Sequence, residues 1–226
     1  ARAGSATTVS DTIAERYAAE FGFACGVVRN AAPYFELQAQ PVGASIRIVH
    51  SGGAQQNRRI EVMMEAVARS TADATLDLYL TGAGSPYVRE LEELAARLGD
   101  RVTVHPPVPH AELVPLLNSY DVGIHVLPRT NTNNALALPN KFFDYVQARI
   151  GIAIGPSEEM VRELRTHDLG VVAESFRPED LGESLLPLDA DRLNAFKRHA
   201  GDAARALSFE VQSAPVRERL RELLGA

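Results

Sequence analysis

Short apolar runs alternate with amphipathic segments along most of this chain, and no other feature constrains the fold as strongly. Apolar runs typical of buried strands lie at 46–50, 76–81, 101–105, 121–127, 151–155 and 171–172. Apolar residues with the 3.6-residue period of helices lie at 58–69, 86–98, 110–120, 140–148, 157–167, 178–186, 190–205 and 208–223. Strands that alternate with helices in this way predict an α/β fold, a doubly wound parallel sheet of about six strands with helices on both faces.

The composition excludes several classes of protein. The 226 residues are 46 % hydrophobic and 23 % charged, which is ordinary for a globular domain. With a net charge of −6 there is no sign of the basic face that nucleic acid requires, so we expect no nucleic-acid partner. Cys25 is the only cysteine, which rules out an internal disulfide and favours a reducing compartment.

Targeting signals are also missing from the sequence. No apolar run approaches the ~18–20 residues that a membrane helix needs. The first residues are not followed by the apolar core of a secretory signal peptide, so we expect a cytoplasmic protein. Because the chain does not begin with Met, we expect a trimmed chain or a fragment.

Three loops with chemically suggestive residues follow predicted strands. They are residues 51–57, 82–85 and 128–139. In a parallel sheet, the loops after the strands all lie at one edge, and ligands bind there at the point where the strand order reverses. Residues 1–43 do not share the alternating pattern, and 29–43 are predicted to form a linker because they contain Pro33, Pro41 and Gly43.

The most informative stretch is 137–145, which reads Ala-Leu-Pro-Asn-Lys-Phe-Phe-Asp-Tyr. It is a loop that leads into a helix, and the free N–H groups and dipole of a helix start favour a phosphate. Lys141 adds a positive charge in the first turn. Asp144 lies on the same helix face by i, i+3 spacing, where a carboxylate can accept ribose hydroxyls. Phosphate and ribose together indicate a nucleotide.

The order of these features resembles the C-terminal, donor-binding half of a retaining glycosyltransferase of the two-domain GT-B type, in the large family four. The residues that carry the resemblance are His50–Gly53, Arg58, Glu65–Ala66, Gly82–Gly84, Val102–Val104, Val108, Tyr120–Val122 and Pro139–Tyr145. The similarity covers residues 45–223 without large gaps. It implies a Rossmann-like donor domain over residues 44–226. Residues 1–43 are then a remnant of the N-terminal acceptor half plus the linker.

The resemblance also implies roles for individual residues. Contact with the donor diphosphate is implied for Gly53, Arg58, Leu136, Ala137, Leu138 and Lys141. Asp144 corresponds to the ribose-binding acid. The base-binding positions are Val108, Gly82 and Gly84. We expect no metal and no cofactor, only a nucleotide-diphosphate sugar as donor substrate.

The same resemblance implies the partners and the reaction. The donor is transferred with retention of configuration to a glycan or glycoconjugate, as in polysaccharide biosynthesis. The catalytic groups and the acceptor pocket are expected in the N-terminal domain, which also allows peripheral association with a membrane. The fragment alone is therefore expected to be inactive. The sequence does not specify the base, the sugar, the acceptor or the oligomeric state.

Several positions depart from the pattern of the family. The family often has Glu where this chain has Leu136, and Arg where it has Ala54. Arg149 and Gly151 stand where Gly and Pro are usual, and the ribose acid is Asp144 rather than Glu. These departures motivate the alternative of a non-catalytic nucleotide-binding or interaction domain.

A different doubly wound enzyme, such as a nucleotide-sugar epimerase or a dinucleotide oxidoreductase, is disfavoured. The loop Gly52–Asn57 does not have the Gly-x-Gly-x-x-Gly spacing that such enzymes use. His50 and His125 lie in predicted strands, and we interpret them as neutral core residues whose nitrogens are hydrogen bonded.

Overall fold

The structure is a computed structural model that describes residues 6–129 and 132–224. The strands are β1 (Thr7–Thr8), β2 (Gly26–Val27), β3 (Ile46–Gly53), β4 (Ala74–Thr81), β5 (Val102–His105), β6 (Val122–His125), β7 (Gly151–Ile154) and β8 (Gly170–Val172). The helices are α1 (Asp11–Phe21), α2 (Ile60–Arg69), α3 (Pro86–Leu98), α4 (His110–Leu117), α5 (Thr132–Leu136), α6 (Asn140–Gln147), α7 (Glu158–His167), α8 (Pro178–Leu185), α9 (Ala190–Ala203), α10 (Phe209–Gln212) and α11 (Ala214–Leu224).

Six of the strands form one parallel sheet in the order β5-β4-β3-β6-β7-β8, which confirms the predicted fold class. The order reverses between β3 and β6, so the topological switch point lies between these two strands. β3 pairs with β4 along its whole length, from Ile46 to Gly53. It pairs with β6 only at Ile48 and Val49, and beyond these residues the two strands separate.

Both faces of the sheet are covered, as the near-continuous apolar strands predict. Ile48 faces a core formed with α2, α3 and α8, whereas its neighbour Val49 faces a second core formed with α4, α6 and α7. Fully burying each large aliphatic or aromatic side chain contributes roughly 1.5–3 kcal/mol. These two cores fix the positions of the loops that follow the strands.

A buried ion pair closes the amino-terminal edge of the sheet. Asp121 directly precedes β6, and its Oδ1 lies 2.6 Å from Nζ of Lys197 on α9. The ammonium also donates to the Gln40 carbonyl at 3.0 Å, and Oδ2 of Asp121 accepts the Arg47 N–H at 2.9 Å. Every charge of this pair is therefore matched inside the protein.

Residues before the sheet are tied to its body by ionic contacts. Strands β1 and β2 form a separate parallel pair around α1. Arg29 Nη2 lies 2.6 Å from Asp11 Oδ2 and 2.7 Å from Glu163 Oε1 on α7. Where residues 1–43 end and the larger domain begins stays a prediction.

Arg149 explains one departure from the family pattern. It adopts a left-handed φ of 59°, a conformation that the usual glycine adopts without strain. Its guanidinium donates to the carbonyls of Val146 at 3.1 Å and Gln147 at 2.8 Å, and to Phe35 at 2.7 Å. The arginine thus makes the turn after α6 and also holds the linker.

Some element boundaries differ from the sequence prediction. α2 begins at Ile60 rather than at residue 58, because Arg59 has a left-handed φ of 49° after a short 3₁₀ turn at Gln56–Arg58. α5 lies inside the predicted loop 128–139. The predicted helix 208–223 is broken into α10 and α11 at Ser213.

Candidate functional site

The end of β3 and the start of α6 meet at the switch point. Gly52 has a φ of +132°, a backbone conformation that residues with a β-carbon rarely adopt. A β-carbon at this position would lie 2.4 Å from Nζ of Lys141. The ammonium of Lys141 therefore rests against the backbone of β3, in the space that a side chain would fill.

The local sequence dictates this position of Lys141. Pro139 is extended, with ψ of 155°, and α6 begins at the next residue. Phe142, Phe143 and Tyr145 are fully buried and anchor the first turns of α6 in the core. Lys141 is therefore held in the first turn of a helix whose apolar side chains are packed in the core.

The cost of burying the Lys141 ammonium is not fully compensated by a nearby negative charge. Its pKa is lowered from 10.5 to about 8, mainly by burial and then by the positive charge of Arg58, while Asp144 acts in the opposite direction. Two cations therefore meet at the start of α6. Such a pair favours an anionic ligand, which would relieve the repulsion.

Asp144 lies one turn further along α6 and is also buried. Burial raises its pKa from 3.8 to about 6, and the charges of Lys141 and His110 oppose this increase. His110 is the first residue of α4, directly after the loop that contains Val108. The structure thus brings α4, α6 and the end of β3 to one site.

His110 was missed by the sequence analysis as a neighbour of the site. It is 34 positions from Asp144, and no local spacing indicates that the two meet. Only the packing of α4 against α6 brings them together.

Two histidines lie beneath Lys141, and we call His50 and His125 the switch-point histidine pair. Their rings are stacked with centroids 5.6 Å apart, and both residues are buried. His50 Nδ1 lies 2.9 Å from the Ile124 carbonyl. Within the described residues, Nε2 of His50 and both ring nitrogens of His125 have no hydrogen-bond partner.

The prediction for these histidines was therefore right in one respect and wrong in another. Burial and the charge of Lys141 lower the pKa of His50 to about 3 and that of His125 well below 6.5, so both rings are neutral. Most of their nitrogens are nevertheless unpaired. The cause is the separation of β3 and β6, which sequence periodicity does not reveal.

The remaining predicted residues surround this cluster or lie beside it. Gly53 ends β3, and Arg58 ends the 3₁₀ turn that follows. The side chains of Leu136 and Leu138 are buried, so a ligand could meet only the backbone at these two positions, whereas Ala137 is partly exposed.

Gly82 and Gly84 follow β4 and have φ values of +98° and +76°. They form a turn into α3, whose start is capped by Ser85 accepting the Val88 N–H at 3.2 Å. Turn geometry alone accounts for these glycines. Contact of Gly82, Gly84 and Val108 with a base stays a prediction.

Carboxylates that could hold a metal ion lie elsewhere. In the described part of the chain, oxygens of Asp11, Glu159 and Glu163 come within 4.8 Å of one another. Arg29 contacts Asp11 and Glu163, and Arg162 contacts Glu159 at 2.6 Å, so each of the three carboxylates already has an arginine partner. None of the helices that the structure describes is both long and apolar enough to cross a bilayer.

Comparison with known proteins identifies the fold. No family profile matches the sequence, and neither does any curated protein. Solved structures do match. A glycosyltransferase from Rickettsia africae ESF-5 has a TM-score of 0.77 at 13 % identity, over 97 % of this chain and 63 % of that one.

Two further matches have the same character. Anabaena Alr3699/HepE in complex with UDP has a TM-score of 0.77 at 13 % identity, over 96 % of this chain and 64 % of that one. Sucrose-phosphate synthase from Thermosynechococcus elongatus has a TM-score of 0.76 at 15 % identity, over 96 % of this chain and 58 % of that one. The chain thus spans about 63 % of the length of the first of these structures.

These similarities define the class of fold. The chain has the Rossmann-like architecture of GT-B glycosyltransferases, as its resemblance to that family implies. At 13 % identity the likeness extends to the fold and not to the reaction.

Proposed function

We propose that this chain is the donor-binding half of a retaining glycosyltransferase and that it binds a nucleotide-diphosphate sugar. The observation that carries the proposal is the meeting of Lys141, Arg58 and Asp144 at the switch point of the sheet. Two cations at a helix start suit a diphosphate, and a buried carboxylate one turn away suits a ribose. A solved structure of the same fold, HepE from Anabaena, has been described in complex with UDP-glucose.

The chemistry follows from the charge that develops during transfer. Breaking the bond between the sugar and the diphosphate leaves negative charge on the leaving group. Lys141, Arg58 and the N-terminus of α6 would stabilise that charge without a metal ion, because they are oriented before the reaction begins. In this proposal the acceptor and the remaining catalytic groups are supplied by an N-terminal domain, and the acceptor is a glycan or glycoconjugate.

One observation favours a second candidate, a non-catalytic nucleotide-binding or interaction domain. Leu136 stands where the family often has Glu, and its side chain is buried in the core at 5 % exposure. This position therefore offers the sugar no carboxylate. As a nucleotide-binding domain, the second candidate shares donor binding with the first and differs only in turnover, whereas an interaction domain would bind no nucleotide.

Thermal shift tests the binding that both nucleotide candidates require. The chain is heated with UDP, GDP, ADP, dTDP or NAD, alone and as the Asp144→Ala variant. A ligand at about 100 times its dissociation constant adds roughly 2.7 kcal/mol to the stability of the protein. We expect one nucleoside diphosphate to raise the midpoint in the wild type and to have little effect on Asp144→Ala.

A matched control removes a different carboxylate. Asp100 is exposed and lies in the turn before β5, at the opposite edge of the sheet. Asp100→Ala should keep the full shift. A shift with NAD alone would support an oxidoreductase, and no shift with any ligand would reject nucleotide binding by this chain.

A further inference from the structure

The switch-point histidine pair occupies the gap that opens where β3 and β6 separate. With the strands apart, the Ile124 carbonyl accepts side-chain hydrogen bonds, from Nδ1 of His50 at 2.9 Å and from the Tyr145 hydroxyl at 3.2 Å. A carbonyl can only accept, so Nδ1 of His50 carries the proton. Its Nε2 therefore holds a free lone pair in the interior.

His125 is in a less satisfied environment than His50. Its ring is stacked on that of His50 with an interplanar angle of 20°, and neither of its nitrogens has a partner among the described residues. A buried polar atom without a partner destabilises the folded state, and an aliphatic side chain would avoid this cost. Two such rings side by side call for an explanation beyond packing.

Burial is the main reason why both rings are neutral, and the charges around the pair act in the same direction. After burial, the largest effect on the pKa of each histidine is the charge of Lys141 on α6, and Arg58 contributes in the same direction. Further titratable groups around the site are Asp144 and Tyr145, on α6, and His110, at the start of α4. In the empty site, then, two neighbouring cations oppose any proton on the pair.

We propose that the switch-point histidine pair takes up one proton from solvent when a nucleotide-diphosphate sugar occupies the site, so that donor binding is linked to proton uptake. This inference rests on the proposed function. The two phosphates bring negative charge to Lys141 and Arg58 and reverse the local field. Nε2 of His50 can then accept a proton while Nδ1 keeps its bond to Ile124.

The pair acts through the field of the ligand rather than by touching it. Its unpaired nitrogens are fully buried, so neither ring reaches the donor directly. A charged imidazole stacked on a neutral one is stabilised by the π face of its neighbour. His50 and His125 are thus positioning residues whose charge strengthens the hold of the site on the diphosphate.

Calorimetry measures this linkage directly. UDP-glucose is titrated into the protein at pH 7 in buffers of low and high ionisation enthalpy, and the slope gives the protons bound per ligand. Both phosphates of this probe are esterified and do not titrate near neutrality. Lys141, with a pKa of about 8, is already largely protonated at pH 7. We expect the wild type to take up more than about a fifth of a proton at pH 7, and more at pH 6, because the pKa of His50 starts from about 3.

Variants assign the proton to the pair. His50→Asn keeps a donor for the Ile124 carbonyl but does not titrate, and it is combined with His125→Asn. The double variant should bind UDP-glucose more weakly and take up less than about a fifth of a proton. His199→Asn is the matched control, because His199 is partly exposed on α9 and contacts Asp168 instead of the site. It should behave as the wild type does.

Several results would overturn the inference. Full proton uptake in the double variant would place the proton on Asp144. Binding of UDP-glucose without uptake would reject the linkage and leave the proposed function standing. If neither UDP-glucose nor the GDP, ADP and dTDP sugars bind, both proposals fall. If the double variant does not fold, ¹⁵N chemical shifts of the imidazoles in the wild type decide, because the ring of His50 must change from the neutral to the charged form when ligand binds.

Discussion

Two buried lysines lie at opposite edges of the same sheet, and their surroundings are opposite in kind. Lys197, at the amino-terminal edge, contacts Asp121 at 2.6 Å and a backbone carbonyl at 3.0 Å. Lys141, at the carboxyl-terminal edge, rests against Gly52, and its pKa is lowered to about 8 by burial and then by the positive charge of Arg58. One charge is matched within the protein, and the other is left in excess.

This difference separates a structural charge from a binding charge. A buried ion must be compensated, because its loss of hydration is costly. When the compensation comes from the fold, as at Lys197, the residue holds elements together. When the compensation is incomplete, as at Lys141, a ligand of opposite charge can supply the missing part. The uncompensated charge then lowers the stability of the free protein and increases its affinity for the ligand.

The largest effect is expected when the matched pair is broken. Lys197→Met leaves the carboxylate of Asp121 buried without its partner, and the free energy of unfolding should fall by about 3–5 kcal/mol. Urea denaturation at pH 7 measures the change. The double variant Lys197→Met with Asp121→Asn removes both charges and should recover part of the loss. A fall below about 1 kcal/mol would contradict the structural role.

Lys141→Met tests the unmatched charge and should have the opposite pattern. The affinity for a nucleoside diphosphate should fall about 10–100-fold, the worth of one charge-assisted hydrogen bond. Stability should not fall, because a desolvated ammonium is removed. The control is Arg59→Met, since Arg59 is exposed and pairs with Glu61 at 3.0 Å. Equal losses of affinity in both variants would show general electrostatic attraction instead of a site.

The pH dependence of stability sharpens the comparison further. The pKa of Asp144 is raised from 3.8 to about 6, so between these values the folded state keeps a proton that the unfolded state has lost. Stability must therefore fall as the pH rises through this window, and the cost persists above pH 6. Lys141 has its window between about 8 and 10.5, where stability must rise with pH. Both costs are present together between pH 6 and 8.

Asp144→Asn should consequently be more stable than the wild type at pH 7, by about 1–2 kcal/mol. The advantage should disappear below pH 3.8, where Asp144 is protonated in both states of the wild type. Urea denaturation at pH 3.5 and at pH 7 gives both values. If Asp144→Asn is less stable than the wild type at pH 7, Asp144 has a structural role like that of Asp121.

The smallest effect is expected from two glycine substitutions. Gly52→Ala and Gly99→Ala both place a β-carbon on backbone of positive φ, +132° and +84°, and each should lower stability by about 1 kcal/mol. Only Gly52→Ala also displaces the ammonium of Lys141. Isothermal titration with a nucleoside diphosphate should therefore show weaker binding for Gly52→Ala alone. Normal affinity in that variant would mean that Lys141 finds another position from which to bind.

The fold was predictable because its determinants are local. Strand and helix periods, turn residues and the order of the elements suffice to predict a parallel sheet with helices on both faces. The errors in the predicted helix boundaries arose from the backbone conformation of single residues. The left-handed Arg59 delays the start of α2, and nothing in its sequence neighbourhood distinguishes it from Arg58.

The site was only partly predictable. The spacing of Lys141 and Asp144 on one helix placed the two together correctly. The proximity of His110 to Asp144, the contact of Lys141 with Gly52 and the unpaired nitrogens of His50 and His125 all depend on how distant elements pack. Contacts between distant elements leave no periodic pattern and no fixed spacing in the sequence, so they could not be predicted from this sequence alone.

The contact between Gly52 and Lys141 also constrains how this site can have evolved. In the conformation that the structure describes, the end of the long cation at position 141 occupies the space that a side chain at position 52 would fill. A side chain acquired at position 52 would therefore force the ammonium of Lys141 to move. Related chains with a β-carbon at position 52 should carry a shorter or differently directed residue at position 141, and the two positions should change together although 88 residues lie between them.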